Sequence, residues 1–280
     1  MILVTGATGN VGGALVRLLA ADGTPVRALV RDPGAAAPVA GVDVVRGDLA
    51  APGGLDAAFA GVEALFLLGG FDTMAEVLDR AKVAEVGRVV LLTSRCVEGG
   101  APDNAITAMW LRSEAVLRES GLAGTVLHPS GFQSNVLRWS DQLAAGDVVR
   151  APWPDVPIAA IDPADVAAVA AVALRDDGYA GRVLTLSGPE PLTPAEHVAV
   201  LADVLGRPLR YEPQPEAEAR AAMGAAMPQP FVDAQFRFFS DGEFDDSGVV
   251  DTVGRVTGRP PGTLRAWATA HKDRFPPGPR

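Results

Sequence analysis

The first twelve residues, Met1-Ile-Leu-Val-Thr-Gly-Ala-Thr-Gly-Asn-Val-Gly12, restrict the fold more than any other stretch of the chain. Ile2 to Val4 form a short apolar run that reads as a buried parallel strand. Thr5 to Gly12 then carry glycines at a fixed interval, Gly6-x-x-Gly9-x-x-Gly12. Val11, Leu15, Val16, Leu18 and Leu19 follow at roughly helical spacing. Strand, glycine turn and helix in that order are the context in which this spacing cradles a dinucleotide pyrophosphate. Gly6 permits the turn, Gly9 lets the backbone approach the phosphates, and Gly12 lets the helix pack close to the strand. The helix N-terminus adds free N–H groups and the positive end of its dipole. Gly6, Thr8, Gly9, Asn10, Val11 and Gly12 are the expected cofactor contacts.

With 280 residues, 48% of them hydrophobic, the chain suits one large α/β domain with an appended lobe, built on a doubly wound parallel sheet. The net charge of −10 makes nucleic acid a poor partner, because phosphate needs basic patches. Cys96 is the single cysteine, so no internal disulfide forms and a cytoplasmic location is expected. Residue 1 already opens the first strand, which leaves no room for a signal peptide. No apolar run reaches the roughly 18 residues of a membrane span. The expected partners are a small-molecule substrate and at most a second copy of the chain, as monomer or homodimer, with no membrane and no metal. The chain has only two lysines, Lys82 and Lys272, and two tyrosines, Tyr179 and Tyr211, which limits the available acid–base machinery.

Pro25 to Val30 reads as the second strand, ending at Arg31-Asp32-Pro33. That strand end meets the adenosine ribose in a dinucleotide fold, where an acid selects NAD and an arginine accommodates the 2′-phosphate of NADP. Arg31 therefore points to NADP, with NADPH preferred over NADH. Gly34 to Gly41 reads as a loop or short helix, and Val42 to Arg46 as the third strand. Asp48, beside Leu49, either accepts from the adenine amino group or caps a helix beginning near Pro52. Ala64 to Leu68 is the fourth strand, and Gly69-Gly70 at its end leaves space for a ligand. Arg88 to Thr93 is the fifth, followed by Ser94, which either touches a substrate carbonyl or caps its loop. Cys96 reads as a small buried residue rather than a nucleophile. Asp103 to Ser120 is a helix stopped by Gly121, with Ala108, Leu111, Ala115 and Leu117 inward. Thr125 to Leu127 is the sixth strand, and His128-Pro129-Ser130-Gly131-Phe132 follows at its carboxyl end. His128 is there either a proton donor or a half-buried structural histidine. Later segments alternate more loosely: helices over Pro163–Leu174, Pro194–Leu205 and Glu216–Met227, and strands over Arg182–Ser187 and Leu209–Glu212. Thr193 and Glu196 fit a capping box. Phe231, Phe236, Phe238 and Phe239 cluster as lobe core or pocket wall.

Four stretches carry a family resemblance: Val4-Thr-Gly-Ala-Thr-Gly-Asn-Val-Gly12; Leu29-Val-Arg-Asp-Pro33; Ser113 to Leu122 leading to His128-Pro-Ser-Gly-Phe-Gln-Ser-Asn135; and Val256-Thr-Gly-Arg-Pro-Pro261. Through them the chain resembles the NmrA-like branch of the atypical short-chain dehydrogenases/reductases. The resemblance implies a Rossmann core over residues 1–150. Residues 151–280 would complete that core and form a small α+β substrate lobe. It implies NADP(H) held by the glycine turn and Arg31; Asp48, Leu49, Gly69, Ser94 and Pro129 are further expected cofactor contacts at the strand ends. The branch includes quinone and other reductases as well as redox-sensing regulators. Its motif usually has arginine where this chain has His128. The wider superfamily carries Tyr-x-x-x-Lys on the helix before strand six; counted back from Glu114, those places fall at Ile106 and Trp110. The usual proton relay is therefore missing.

Hydride transfer needs positioning more than side-chain acids, because the cofactor carries the reaction. The expected activity is NADPH-dependent reduction of a small apolar or aromatic carbonyl, quinone, enone or imine. His128 and Ser94 are the candidate donors, Asn135 orients the substrate, and Trp110, Phe132, Trp139 and Trp153 are candidate walls. A silent NADP(H)-sensing regulator and a non-redox isomerase or cyclase are the alternatives.

Overall fold

The structure is a computed structural model and describes residues 1–35 and 39–278. Part of the Gly34–Gly41 stretch and the end of the tail lie outside the described residues. In chain order the elements are Ile2–Val4 (β1), Asn10–Ala21 (α1), Val26–Val30 (β2), Val42–Arg46 (β3), Asp56–Phe59 (α2), Ala64–Leu68 (β4), Met74–Val83 (α3), Arg88–Leu92 (β5), Ala105–Ser120 (α4) and Gly124–Pro129 (β6). Ser140–Ala145 (α5), Val148–Ala151 (β7), Pro163–Ala173 (α6), Val183–Leu186 (β8), Pro194–Leu205 (α7) and Arg210–Pro213 (β9) follow. Glu216–Gly224 (α8), Gln229–Phe239 (α9), Thr252–Thr257 (α10) and Leu264–Ala270 (α11) close the chain.

A seven-stranded sheet runs β3-β2-β1-β4-β5-β6-β8, with every pair parallel. Its order reverses between β1 and β4, and in such a sheet ligands bind outside the carboxyl ends of the strands at that switch point. The architecture is the doubly wound Rossmann fold expected from the sequence.

Alternation along the strands divides two cores. Val4 and Phe66 face one side, where they meet Leu15 and Leu19 of α1 and Val166 and Ala170 of α6. Leu3, Leu65 and Leu67 face the other, against Phe59, Met74, Leu78 and Leu117. Alanine at Ala167, Ala170 and Ala171 gives α6 a smooth face, and α6 packs along α1. The C-terminal lobe has its own small sheet, β7 paired parallel with β9. Its core gathers Leu143, Val149, Leu201 and Trp267.

Local signals explain most boundaries. Thr193 and Glu196 form the expected capping box, Glu196 Oε2 accepting from the Thr193 N–H at 2.8 Å. Helix α4 starts at Ala105 because Asn104 Oδ1 accepts from the Ile106 N–H at 3.0 Å. Its buried face is more polar than expected: Thr107, Ser113 and Glu114 lie inward with Leu117, while Leu111 is half-buried. The four clustered phenylalanines are spread along α9, an amphipathic helix that buries Phe236 and Phe238. Helix α8 stops at Gly224, short of Met227, and β7 lies in a stretch where no strand was expected.

Phe66 is 1% exposed at the middle of the sheet. Phe66→Ala should cost about 3–5 kcal/mol, the usual range for a large aromatic removed from a packed core, read by urea denaturation.

Candidate functional site

The carboxyl ends of β1, β4, β5 and β6 converge on one crevice, and each brings different chemistry. After β1, Gly6 takes φ +59° and its carbonyl accepts from the Gly9 N–H at 2.9 Å. A Cβ on Gly12 would lie 2.3 Å from that same carbonyl oxygen. Gly9 is the N-cap of α1 and no side chain caps it. The first-turn N–H groups therefore remain for an anion, and the backbone is bare enough for phosphate to approach, which is what a dinucleotide requires. Asn10 spends its side chain elsewhere: Nδ2 donates to Ser134 Oγ at 3.0 Å, tying the turn to the loop after β6.

At the end of β2, Arg31 is exposed, while Asp32 turns away and accepts from the Gly34 N–H at 2.9 Å. The guanidinium is thus left free at the end of β2, while the nearby carboxylate is committed to its own turn. Asp48 caps no helix, contrary to one of its two expected roles. Its Oδ1 accepts from the Ala50 N–H at 3.0 Å, a local turn, and a 3-10 turn over Pro52–Gly54 precedes α2. Leu49 is buried in the core beneath, so only its backbone faces outward, and its carbonyl accepts from Thr73.

After β4, Gly70 has φ +89° and its N–H donates to Ser113 Oγ at 3.0 Å. The ring of Trp110, half-buried on α4, stands against both glycines; a Cβ on Gly69 would lie 3.2 Å from it. A side chain at Gly69 would press on the indole, whereas at Gly70, where a Cβ would lie 3.5 Å from it, the constraint is the left-handed φ. After β5, Ser94 caps a 3-10 turn over Arg95–Glu98 by accepting from the Cys96 N–H at 3.4 Å. The cap and the position beside the crevice belong to the same serine. Cys96 is buried, and burial, only partly offset by hydrogen bonds from Ser94 and Thr107, pushes its thiol up to about 11.

The end of β6 departs most from the sequence reading. His128 does not reach the crevice. It is 3% exposed, with Nδ1 2.9 Å from Glu98 Oε1 and Nε2 2.8 Å from Glu114 Oε1. Both ring nitrogens are taken, so it has none free for a substrate. Pro129 and Ser130 follow, and Ser130 Oγ donates to Asp246 Oδ1 at 2.8 Å. Asp246 Oδ2 accepts from the Gly131 N–H at 2.9 Å, and Arg95 lies 3.8 Å from Oδ1. Burial pushes the Asp246 carboxyl above its ordinary value, against the lowering effect of Gly131, Ser130 and Arg95. Asp246 thereby anchors the segment between α9 and α10 across the ends of β5 and β6. No sequence signal marked Asp246, Glu98 or Glu114 in advance. The one available hint was an acid at Glu114 in line with Leu117 on the inner face of α4.

Phe132 is half-buried and pairs its backbone with Ile161; Asn135 is exposed beside Gly131. Trp139 is not a crevice wall. It is 8% exposed inside the lobe core, edge-on to His197 at 6.4 Å. Trp153 does line a cavity, a groove of about 340 Å³ with Phe236, Phe239, Gln214 and Asp155. It holds φ +58°, and its indole N–H donates to Ser240 Oγ at 3.0 Å.

A family model described as NAD(P)H-binding matches residues 6–177, from the glycine turn to beyond α6. The chain belongs to this NAD(P)H-binding family. It is 40% identical to the (4-alkanoyl-5-oxo-2,5-dihydrofuran-3-yl)methyl phosphate reductase of Streptomyces griseus, over 99% of this chain and 100% of that one. It is 35% identical to the NAD(P)H azoreductase of Xenophilus azovorans, over 98% and 99%. The NADPH-dependent quinone oxidoreductase of Escherichia coli, solved with NADPH, superposes with a TM-score of 0.80 at 27% identity, covering 98% of this chain and 100% of that one. The chain is an NAD(P)H-dependent oxidoreductase. No helix among the described residues is long and apolar enough to cross a membrane.

Two outcomes follow from this geometry. Gly12→Ala forces its methyl into the Gly6 carbonyl, so NADPH affinity should fall by about tenfold or more, measured by fluorescence titration. Cys96 should resist a thiol reagent in the native protein at neutral pH and react on unfolding. Native-state labelling at the rate of free cysteine would contradict its burial.

Proposed function

We propose that the protein is an NADPH-dependent reductase of flat, conjugated acceptors such as quinones, enones and imines, working without a Tyr–Lys relay. One observation carries this reading. The α4 positions of the usual acid and lysine hold Ile106 and Trp110, and Trp110 presents an apolar ring to Gly69 and Gly70. Such a wall stacks a planar acceptor and donates nothing to it.

The bound cofactor supplies the hydride. Gly6, Thr8, Gly9, Val11 and Gly12 hold the pyrophosphate through backbone N–H groups, which Asn10 supports by fixing Ser134. Arg31 meets the 2′-phosphate. Gly69 and Pro129 flank the nicotinamide with bare backbone and a ring that cannot donate. Ser94 offers a hydroxyl to the substrate carbonyl while its other lone pair caps the turn. Asn135, exposed beside Gly131, orients the acceptor, and Phe132 and Trp153 extend the apolar surface. A conjugated acceptor stabilises the charge left by hydride addition, so water or Ser94 suffices as proton source. The related reductases support this choice, since their names specify an unsaturated acyl lactone, an azo compound and a quinone.

The test is NADPH oxidation with a naphthoquinone, an unsaturated lactone and an azo dye. Turnover with at least one is expected; tight NADPH binding with no turnover across the panel would overturn the reading. Arg31→Glu removes charge-assisted hydrogen bonds worth about 1.5–3 kcal/mol, so NADPH affinity should fall by about ten- to a hundredfold while NADH affinity stays. Equal loss for both cofactors would remove the role given to Arg31.

A further inference from the structure

Glu98, His128 and Glu114 form a cluster at the carboxyl ends of β5 and β6, with His128 and Glu114 buried and Glu98 37% exposed at its outer edge. His128 brings the ring from β6, Glu98 comes from the end of the 3-10 turn after β5, and Glu114 comes from α4. The other elements packed on the ring add hydroxyls and no charge. Thr93 at the end of β5 donates to Glu114 Oε1 at 2.9 Å, and Thr185 of β8 donates to Glu98. Cys96 on the same 3-10 turn is a neutral thiol at physiological pH. The next charges, Arg95 and Asp246, are engaged with each other and with Ser130.

A neutral imidazole has one N–H and one lone pair, so it satisfies only one of two carboxylates. The second carboxylate oxygen would then face a lone pair at under 3 Å. Only the imidazolium donates on both sides. Burial opposes that charge, but hydrogen bonds and charge from Glu114 and Glu98 outweigh it and hold the pKa above the ordinary histidine value. A group raised in the folded state keeps its contribution below its unfolded pKa and loses it as pH rises through the folded one. Where the family motif has a permanently charged arginine, this chain has a removable charge.

Both ends of the cluster lead to the crevice. Glu98 closes the turn that Ser94 opens, and Arg95 on that turn reaches Ser130 and Gly248. Glu114 lies one helical turn beyond Trp110 and next to Ser113, which accepts from Gly70. We propose that charged His128 is a positioning residue: by joining Glu98 to Glu114 it sets the Ser94–Glu98 turn against α4, and loss of its charge at alkaline pH releases that turn and slows reduction. This rests on the reductase reading, in which Ser94 faces the substrate carbonyl.

The test follows naphthoquinone-dependent NADPH oxidation, and separately amide hydrogen exchange over residues 94–100 corrected for intrinsic rate, from about pH 6 to about pH 9. The wild type should lose kcat on the alkaline side, with little change in KM for NADPH, while exchange in that segment speeds up. His128→Arg keeps the charge and should abolish both alkaline changes. Glu98→Gln should do the same by a milder route, since its amide donates to a neutral ring nitrogen as readily as it accepts from a charged one. His128→Gln should sit at the high-pH level throughout, with kcat lower by about ten- to a hundredfold, the scale of a roughly 1 Å misplacement. Persistence of the alkaline loss in both His128→Arg and Glu98→Gln would overturn the proposal, as would pH-independent exchange in the wild type. A protein that reduces no acceptor fails the substrate reading instead, and the exchange measurement then decides the clamp alone.

Discussion

The opening glycine turn depends on a close approach between two backbones. Gly12 packs against the Gly6 carbonyl with no room for a methyl group between them. That contact brings the N-terminus of α1 against the end of β1, where no side chain caps its N–H groups. The sheet order turns on the same place: β1 and β4 are paired neighbours, and the strands are added outward from them in opposite directions. Leu15, Leu19, Val4 and Phe66 hold the helix on the sheet in apolar contact, so the turn is supported from beneath by the core. Binding site and core are thus one construction.

The rest of the crevice is held by polar bonds at strand ends, where apolar packing gives way. Asp246 fixes the strap after α9 to Ser130 and Gly131, His128 joins the turn after β5 to α4, and Ser113 ties α4 to Gly70. His128, Glu114, Ser113, Ser130 and Asp246 are buried, so each of their missing partners would cost about 1–3 kcal/mol of desolvation. Such bonds have direction, which apolar contacts lack, and they give the crevice a defined shape.

The parts legible in the sequence were those governed by local rules. The glycine spacing, the apolar strands, the Arg31 strand end and the Thr193–Glu196 box each follow from neighbouring residues. The parts that were not legible depend on residues far apart in the chain. His128 sits at a strand's carboxyl end, as expected, but Glu98 and Glu114 turn it inward, and neither is close enough in sequence to signal it. Asp246 meets Ser130 across 116 positions. Trp139 looked like a substrate wall because it follows β6 closely, yet the 3-10 stretch Gln133–Trp139 rotates it into the lobe core. Of the two readings of Asp48 the structure removes the helix cap, since its Oδ1 accepts from the Ala50 N–H in a local turn instead.

In the proposed reductase a cofactor cradle works without a neighbouring Tyr–Lys pair, because Ile106 and Trp110 stand on α4. The account assigns hydride transfer to NADPH, alignment to Trp110, Gly69 and Ser94, and protonation to water or a weak donor. The most direct measurement is a single turnover with NADPH deuterated at the transferring position and a naphthoquinone acceptor. The account predicts a rate slowed by the deuterium and equimolar oxidation of cofactor and reduction of acceptor. Acceptor consumed while the labelled cofactor stays reduced would contradict it.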